Sequence, residues 1–201
     1  FINGNNLING KIIITENTKK VDKAEFQKHK RDINNKTILL SINGTIGNIA
    51  YYNDEPIILG KSACYINLND SVNENFMFQY LQSDIISRYF NSQLTGSTIM
   101  NLSLKSIKNT KLNLPSLPEQ KKIGSFLTSV DDKLNQLTKK KELLIEYKKG
   151  IMQKIFSQEL RFKDDNGNNY PDWEEKKLGQ ISFKTSSNIS ANSIEENIGK
   201  Y

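Results

Sequence analysis

Cysteine and histidine are scarce in this 201-residue sequence, which contains one of each. Cys64 has no second cysteine with which to form an internal disulfide, and one thiol cannot build a cysteine-based zinc site. His29 lies in the charged segment FQKHKRD, which is typical of a solvated surface rather than of a catalytic triad or a histidine-rich metal site. We therefore expect no metal site and no catalytic residues of these kinds.

Long apolar runs and nucleotide-binding loops are also missing. No run approaches the roughly 20 apolar residues that span a bilayer, and no signal peptide opens the sequence, so we expect a cytoplasmic protein without membrane association. There is no Gly-x-x-x-x-Gly-Lys-Ser/Thr loop and no glycine-rich cofactor fingerprint, which predicts a non-catalytic chain. Because the first residue is Phe1 rather than methionine, we expect a piece of a longer protein.

Basic residues exceed acidic ones, giving a net charge of +6. The excess lies in residues 1–157, whereas residues 158–201 are acidic on balance. This distribution favours a polyanionic partner such as nucleic acid, although a lysine excess also keeps many proteins soluble.

Residues 1–116 mix strand and helix patterns. The segment NKTILLSINGTIGNIAYY has two apolar runs around Asn43-Gly44, which predicts a β-hairpin with a tight two-residue turn. A second strand pair, broken at Gly60, is predicted in EPIILGKSACYINLN. The segment SVNENFMFQYLQSDIISRYFNSQ predicts a packed helix that begins with a Ser71-x-x-Glu74 capping box. Strands followed by a packed helix indicate an α+β domain.

Residues 117–157 predict one long helix, because apolar residues recur at alternating spacings of four and three. Lysines interrupt this seam at Lys141 and Lys148, and Gly150 predicts a bend or a close helix crossing. By itself the pattern favours a dimerisation coiled coil over a spacer. The predicted packing residues are Ile123, Leu127, Val130, Leu134, Leu137, Leu144, Ile151 and Ile155.

Residues 158–201 predict a linker followed by the beginning of another domain. Asp165-Asn166-Gly167 is a turn signal, and KKLGQISFKT has the pattern of a strand.

Two pairs of segments resemble the specificity subunit of type I restriction-modification enzymes. LPSLPEQKKIGSFLTSVDDKL and KKGIMQKIFSQELRFKDDNGNNYPDWEEKKLGQI are similar to the conserved region of that family, and LLSINGTIGNIAYY and GSTIMNLSLKSIKNTKLNLPSLPEQ resemble its target recognition domains. The resemblance implies a target recognition domain at 1–116 that lacks its N-terminal part. It also implies a conserved spacer helix at 117–157, and a linker with the start of a second recognition domain at 158–201.

The family resemblance implies recognition of DNA without catalysis. Each recognition domain of the family reads one half of a bipartite target in double-stranded DNA, and two antiparallel spacer helices set the distance between the halves. The second helix would come from the same chain or from a homodimer. Modification subunits would supply adenine methylation with S-adenosylmethionine, and restriction subunits would supply cleavage with ATP and magnesium, so no cofactor is expected in this chain.

Residues that touch DNA should be amides, hydroxyls and basic side chains on loops. These residues also have structural alternatives. Gly44 and Gly47 favour a simple turn around Asn43 and Thr45, and Ser97 is also a common helix cap. The candidates are Asn43, Thr45, Lys61, Ser97, Thr98, Asn101, Lys105 and Lys108.

Two other functions remain open from the sequence. The long helix is also typical of a coiled-coil adaptor that binds no nucleic acid. Alternatively, the chain is the recognition module of a fused methyltransferase-nuclease, whose cofactor motifs would lie outside these residues.

Overall fold

A computed structural model describes residues 1–183 of the protein. Contact density divides the chain into two units, Phe1–Lys141 and Glu142–Tyr201. Both helices and sheets are present, so the predicted α+β class is confirmed. The elements are β1 (Leu7–Ile8), β2 (Lys11–Ile12), α1 (Lys23–His29), β3 (Thr37–Ser41), β4 (Ile49–Tyr51), β5 (Ala63–Asn67), α2 (Glu74–Leu81), α3 (Asp84–Ser92), α4 (Leu104–Lys108), α5 (Leu117–Phe156) and α6 (Leu178–Ile181).

Strand β3 is the centre of the first unit. It pairs antiparallel with β4 and β5, and Ile38 lies opposite both Tyr51 and Ile66. All five residues of β3 are buried. Since successive side chains of a strand point to opposite faces, Ile38 and Leu40 pack on one side of the sheet and Leu39 packs on the other. A strand covered on both faces needs no polar alternation, which explains the continuous apolar run.

Two different layers cover the sheet. On the Ile38 face, helices α2 and α3 contribute the core residues Met77, Phe78, Leu81, Ile86 and Phe90. On the Leu39 face the cover comes from the N-terminal segment, the stretch before β5 and the first residue of β5, with Ile2, Leu7, Ile57 and Ala63. The Tyr51 ring of β4 stacks on Phe78, with ring centroids 3.9 Å apart, and ties the sheet to α2.

The connection between β3 and β4 corrects one prediction. The two strands form the expected antiparallel pair, but the tight turn at Asn43-Gly44 is wrong, because residues 42–48 form a seven-residue loop. The hydroxyl of Ser41 accepts a hydrogen bond from the Asn48 amide at 2.9 Å and donates to the Thr45 carbonyl. This side chain closes the longer loop in place of a two-residue turn.

Two further predictions in the first unit are wrong. The stretch around Gly60 does not form a strand pair, since only β5 is a strand and it pairs with β3. The predicted single helix is divided at Ser83, whose side chain caps α3. The first of the two helices is capped by Asn73 rather than by Ser71, because the Asn73 side chain accepts a hydrogen bond from the Phe76 amide at 3.0 Å.

Helix α5 ends at Phe156, one residue before the predicted end. Its first turns dock on α2 through polar and small residues, which we call the docking strip: Gln120, Gly124 and Asp131 of α5 with Asn73, Asn75 and Gln79 of the α2 region. Gln120 is 2% exposed. Its carbonyl oxygen accepts from the Asn73 amide at 2.9 Å, and its Nε2 donates to the carbonyls of Ser71 and Pro115. The buried amide is therefore satisfied at both ends.

Gly124 lets the two helices approach closely. A Cβ atom at this position would lie 2.7 Å from the backbone nitrogen of Phe76 and 2.8 Å from the Asn73 side chain. Seven residues further along α5, the Asp131 carboxylate accepts a hydrogen bond from Gln79. A Cβ atom at Gly150 would meet no such neighbour within 4 Å, so among the described residues the close approach on α5 is made by Gly124.

The second unit contains the end of α5 and the segment that follows it. The predicted turn at Asp165-Asn166-Gly167 is observed. The Asp164 carboxylate accepts from the amides of Asn168 and Asn166 at 2.7 and 3.0 Å, and these hydrogen bonds hold the pKa of Asp164 below its usual value. Arg161 donates to the Tyr170 carbonyl and the Asp172 carboxylate, each at 3.0 Å.

The predicted strand in KKLGQISFKT is wrong over the described residues, because Leu178–Ile181 form the short helix α6. The predicted beginning of a second domain at 158–201 extends over residues 184–201, which lie outside the described residues. No helix among residues 1–183 has both the length and the apolar character needed to cross a membrane.

The two glycines of α5 give opposite predictions for the same substitution. Gly124→Ala should lower the free energy of unfolding by about 1–2 kcal/mol, because the added methyl collides with the Phe76 backbone. Gly150→Ala should raise it by up to about 1 kcal/mol, because alanine favours the helix and meets open space. Urea unfolding followed by circular dichroism measures both, and stabilisation by Gly124→Ala would contradict the close approach.

Cys64 should be slow to alkylate in the folded protein. Burial raises the pKa of its thiol to about 11, whereas an unfolded cysteine titrates near 8.5. Only the thiolate reacts, so labelling with iodoacetamide at pH 8 should be on the order of 100-fold slower in the native protein than in urea. By the same linkage, the raised pKa stabilises the fold below about pH 8.5, and this stabilisation falls as the pH rises toward 11. Equal labelling rates would mean that the Cys64 side chain is not packed against the core.

Candidate nucleic-acid interface

Three loops meet at the end of β3 that leads into residues 42–48. The amides of Ile42 and Asn43 both donate to the Ser62 carbonyl, at 2.8 and 3.3 Å. The amide of Leu102 donates to the Ile42 carbonyl at 2.9 Å. We call residues 42–48, 60–62 and 95–101 the loop cluster. Main-chain hydrogen bonds to Ile42, the buried residue that follows β3, hold the other two loops, so their side chains are positioned by the rigid part of the domain.

The loop cluster brings most of the predicted DNA-contacting residues together. The Asn43 side chain donates to the Lys61 carbonyl at 3.3 Å, and Asn43 and Asn101 pair in an isolated antiparallel bridge. Thr45 is exposed in the same loop as Asn43. These residues place two carboxamides, a hydroxyl and a lysine on adjoining loops.

The segment 95–101 is a closed loop with an apolar tip. Thr95 and Asn101 exchange both main-chain hydrogen bonds, at 3.0 and 2.8 Å. Gly96 has a φ of 104°, and a Cβ atom there would lie 2.4 Å from the Ile99 carbonyl oxygen, so only glycine fits. Within the loop Ser97 and Thr98 are exposed. Ile99 and Met100 are 68% and 44% exposed.

Helix α4 follows the loop cluster directly and carries the two remaining candidates. Ser103 caps it by accepting from the Ser106 amide at 3.0 Å. Lys105 is exposed in the first turn. Lys108, at the other end of α4, lines a groove of about 690 Å³ together with Ile66 and Met77. Lys105 and Lys108 are therefore the two candidates outside the loop cluster, and Lys108 lies on a groove beside β5 and α2.

Two lysines near the loop cluster were not predicted from the sequence. Lys19 and Lys20 line a cavity of about 580 Å³ with Lys61. The acidic residues of this cavity have local partners, because Asp22 accepts from the Glu25 amide at 2.7 Å and the Glu25 carboxylate lies 2.9 Å from His29. In the described part of the chain, no ion pair involves these three lysines. Their positive charge remains open to an anionic partner.

Ile99 and Met100 were missed for a different reason. Sequence patterns assign apolar residues to the core, whereas these two stand at the tip of a loop. The available signal was their place in the turn-rich segment LTGSTIMN, between Gly96 and Asn101.

Residues 1–183 contain no group of three or more side chains suited to hold a metal ion.

The predicted seam of α5 lies beside the docking strip, roughly a quarter turn around the helix at 3.6 residues per turn. Ile123 and Leu127 are half-buried, whereas Val130, Leu134 and Leu137 are exposed in the first unit. In the second unit Leu144 is exposed, and Ile151 and Ile155 are half-buried. The face that docks on the domain is thus polar and small, and much of the apolar seam faces solvent in the described chain.

Comparison with known proteins identifies relatives of the chain. Residues 2–147 match the family described as type I restriction modification DNA specificity domain. The type I restriction enzyme MjaVIII specificity subunit of Methanocaldococcus jannaschii is 30% identical over 161 residues, which is 74% of this chain and 37% of that protein. The MjaIX specificity subunit of the same organism is 26% identical over 153 residues, which is 72% of this chain and 35% of that protein.

A solved structure shares the fold. The crystal structure of the HsdS subunit from Thermoanaerobacter tengcongensis matches with a TM-score of 0.54 at 19% identity, and the match covers 82% of this chain and 43% of that one. The chain spans 37% and 35% of the lengths of the two curated relatives. Because the family match extends over residues 2–147, well over half of the sequence, the chain belongs to the type I restriction modification DNA specificity domain family.

Proposed function

We propose that this chain reads one half of a bipartite DNA target as part of a type I restriction specificity subunit. The loop cluster is the observation that carries the proposal: in a member of this family, three loops anchored to a buried strand present Asn43, Asn101 and Lys61 on one surface. Loops on a rigid scaffold are the usual place for recognition residues.

The residue types of the loop cluster fit both parts of DNA recognition. Lys61, together with the nearby Lys19 and Lys20 and with Lys105 of α4, contacts phosphates, which supplies affinity and positions the domain. Asn43 and Asn101 have the carboxamide that pairs with the two hydrogen-bonding atoms of adenine in the major groove, and hydroxyls such as Thr98 bond to base edges. The exposed Ile99 and Met100 offer apolar contact to the methyl group of thymine.

The rest of the assembly completes the enzyme. The chain recruits modification subunits and, through them, restriction subunits, and the methyl donor, ATP and magnesium bind to those partners. The exposed seam of α5 packs against a second spacer helix. Since the chain covers little more than a third of the curated relatives, this helix belongs to another part of the same protein or to a second copy.

Substitutions in the loop cluster should separate affinity from sequence preference. Lys61→Gln should weaken binding to all DNA sequences and reduce the slope of log K against log salt by about 1, because one phosphate contact is lost. Asn101→Ala should relax preference at one base pair, at a cost of about 1–3 kcal/mol for the preferred base. Salt titrations and methylation-site mapping, with the full-length subunit and its modification subunits, measure the two effects.

Lys133→Gln is the matched control, because Lys133 is exposed on α5 and lies outside the loop cluster. It should leave both the salt slope and the methylated sequence unchanged. If the wild-type complex methylates no preferred sequence, the proposed function is wrong.

Lengthening α5 should change the distance between half-sites. A seven-residue insertion near Leu134, matched in the partner helix, adds about 10 Å of helix at 1.5 Å per residue. At 3.4 Å per base pair this corresponds to about three more base pairs between the half-sites. Methylation-site mapping should find the same two half-site sequences at the larger spacing, whereas altered half-site sequences would contradict the spacer role of α5.

A further inference from the structure

The docking strip fixes the orientation of helix α5 on the recognition unit by contacts that tolerate little sliding. The Gln120 carboxamide is buried and uses both its oxygen and its nitrogen, so any shift along α2 would break its hydrogen bonds to Asn73 and Ser71. Apolar side chains accept many registers, but a buried amide has a directional requirement. Gln120 therefore selects one register.

Two further contacts fix the angle between α5 and α2. At Gly124 the absence of a side chain allows backbone contact with Phe76, which sets the distance between the helices. About 10 Å further along α5, at 1.5 Å per residue, Gln79 donates to Asp131. Two contacts separated along the helix axis prevent α5 from tilting, whereas a single contact would let it pivot. Asn75 links this contact region to the sheet, because it accepts a hydrogen bond from the Tyr51 hydroxyl at 3.1 Å.

We propose that Gln79, Gln120, Gly124 and Asp131 are positioning residues that determine the spacing between DNA half-sites, separately from the length of the helix. This inference rests on the proposed function, in which the helix separates two recognition domains. Helix length sets how far apart the domains are attached, and the docking strip sets the angle at which each recognition surface meets the DNA.

The size of the effect follows from the geometry of α5 within the first unit. If the Asp131 contact is lost, the helix can pivot about Gly124. A sideways movement of about 1 Å at Asp131 is a displacement of about 1 Å for every 10 Å of helix beyond Gly124. Lys141 lies about 25 Å beyond Gly124 along the axis, so it would move about 2.5 Å. This displacement approaches the 3.4 Å rise of one base pair, so a loosened docking strip should accept spacings that differ by one base pair.

The test uses the full-length specificity subunit with its modification subunits. Methylation-site mapping first gives the wild-type target, and a DNA set then keeps both half-sites and varies the spacing by one base pair in either direction. Asp131→Ala and Gln79→Ala should each lower the ratio of methylation at the native spacing to methylation at the altered spacings. We expect a drop of about fivefold to tenfold, and the double variant should add little because the two side chains form one contact.

Conservative and neighbouring variants separate positioning from general damage. Asp131→Asn keeps an acceptor for Gln79 and should retain the wild-type ratio, as should Asp132→Ala, which removes the same charge from the exposed neighbouring residue. Gly124→Ala should also lower the ratio, and if that variant is too unstable to assemble, the Gln79 and Asp131 variants still decide the matter. An unchanged ratio in Gln79→Ala and Asp131→Ala would overturn the inference, whereas a wild-type complex without any bipartite target would overturn the proposed function.

Discussion

The burial of β3 on both faces is the constraint on which the rest of the first unit depends. Every residue of β3 is buried, so the strand holds in place both the loops that continue from its ends and the segments that pack on its two faces. At the Ser41 end it anchors the loop cluster through main-chain hydrogen bonds from Ile42 and to Ile42. On the Ile38 face it holds α2, and α2 in turn receives α5. The loop cluster and helix α5 are therefore both attached to this one strand, the first at its end and the second through α2.

The attachment of the helix to the domain is polar, whereas the core of the domain is apolar. Apolar packing contributes most of the stability of a fold, but it is weakly directional. The docking strip uses a buried carboxamide, a glycine and a charge-assisted hydrogen bond instead, and such contacts are more demanding of geometry than of area. Under the proposed spacer role this division is expected, because the core must only be stable whereas the helix must meet the domain at a defined angle.

Sequence reasoning predicted the elements with strong periodic signals and missed what depends on contacts between distant segments. The heptad pattern of Ile123 to Leu137 gave the long helix, and the apolar runs around residue 43 gave the β3–β4 pair. The loop cluster was recovered only as separate residues, because the bonds that join Ile42 to Ser62 and Leu102 leave no local pattern. The helix was expected to pack through its apolar seam, so Gln120 and Gly124 were overlooked even though a glycine inside a helix is a signal of close approach. Ser71 was predicted as the cap of α2, but the side chain of Asn73 accepts the hydrogen bond from the Phe76 amide and caps the helix.

In the closed loop at 95–101, the residues that determine the shape of the loop are different from those that form its exposed surface. Its ends are held by the reciprocal main-chain bonds of Thr95 and Asn101 and by the buried Leu102, and its turn is made by Gly96. None of these restraints uses the side chains of residues 97–100, all of which are exposed. The tip can therefore change its residues while its frame persists. Under the proposed function, this tip is the place where a lineage could acquire a new DNA target by substitution without refolding the domain that displays it.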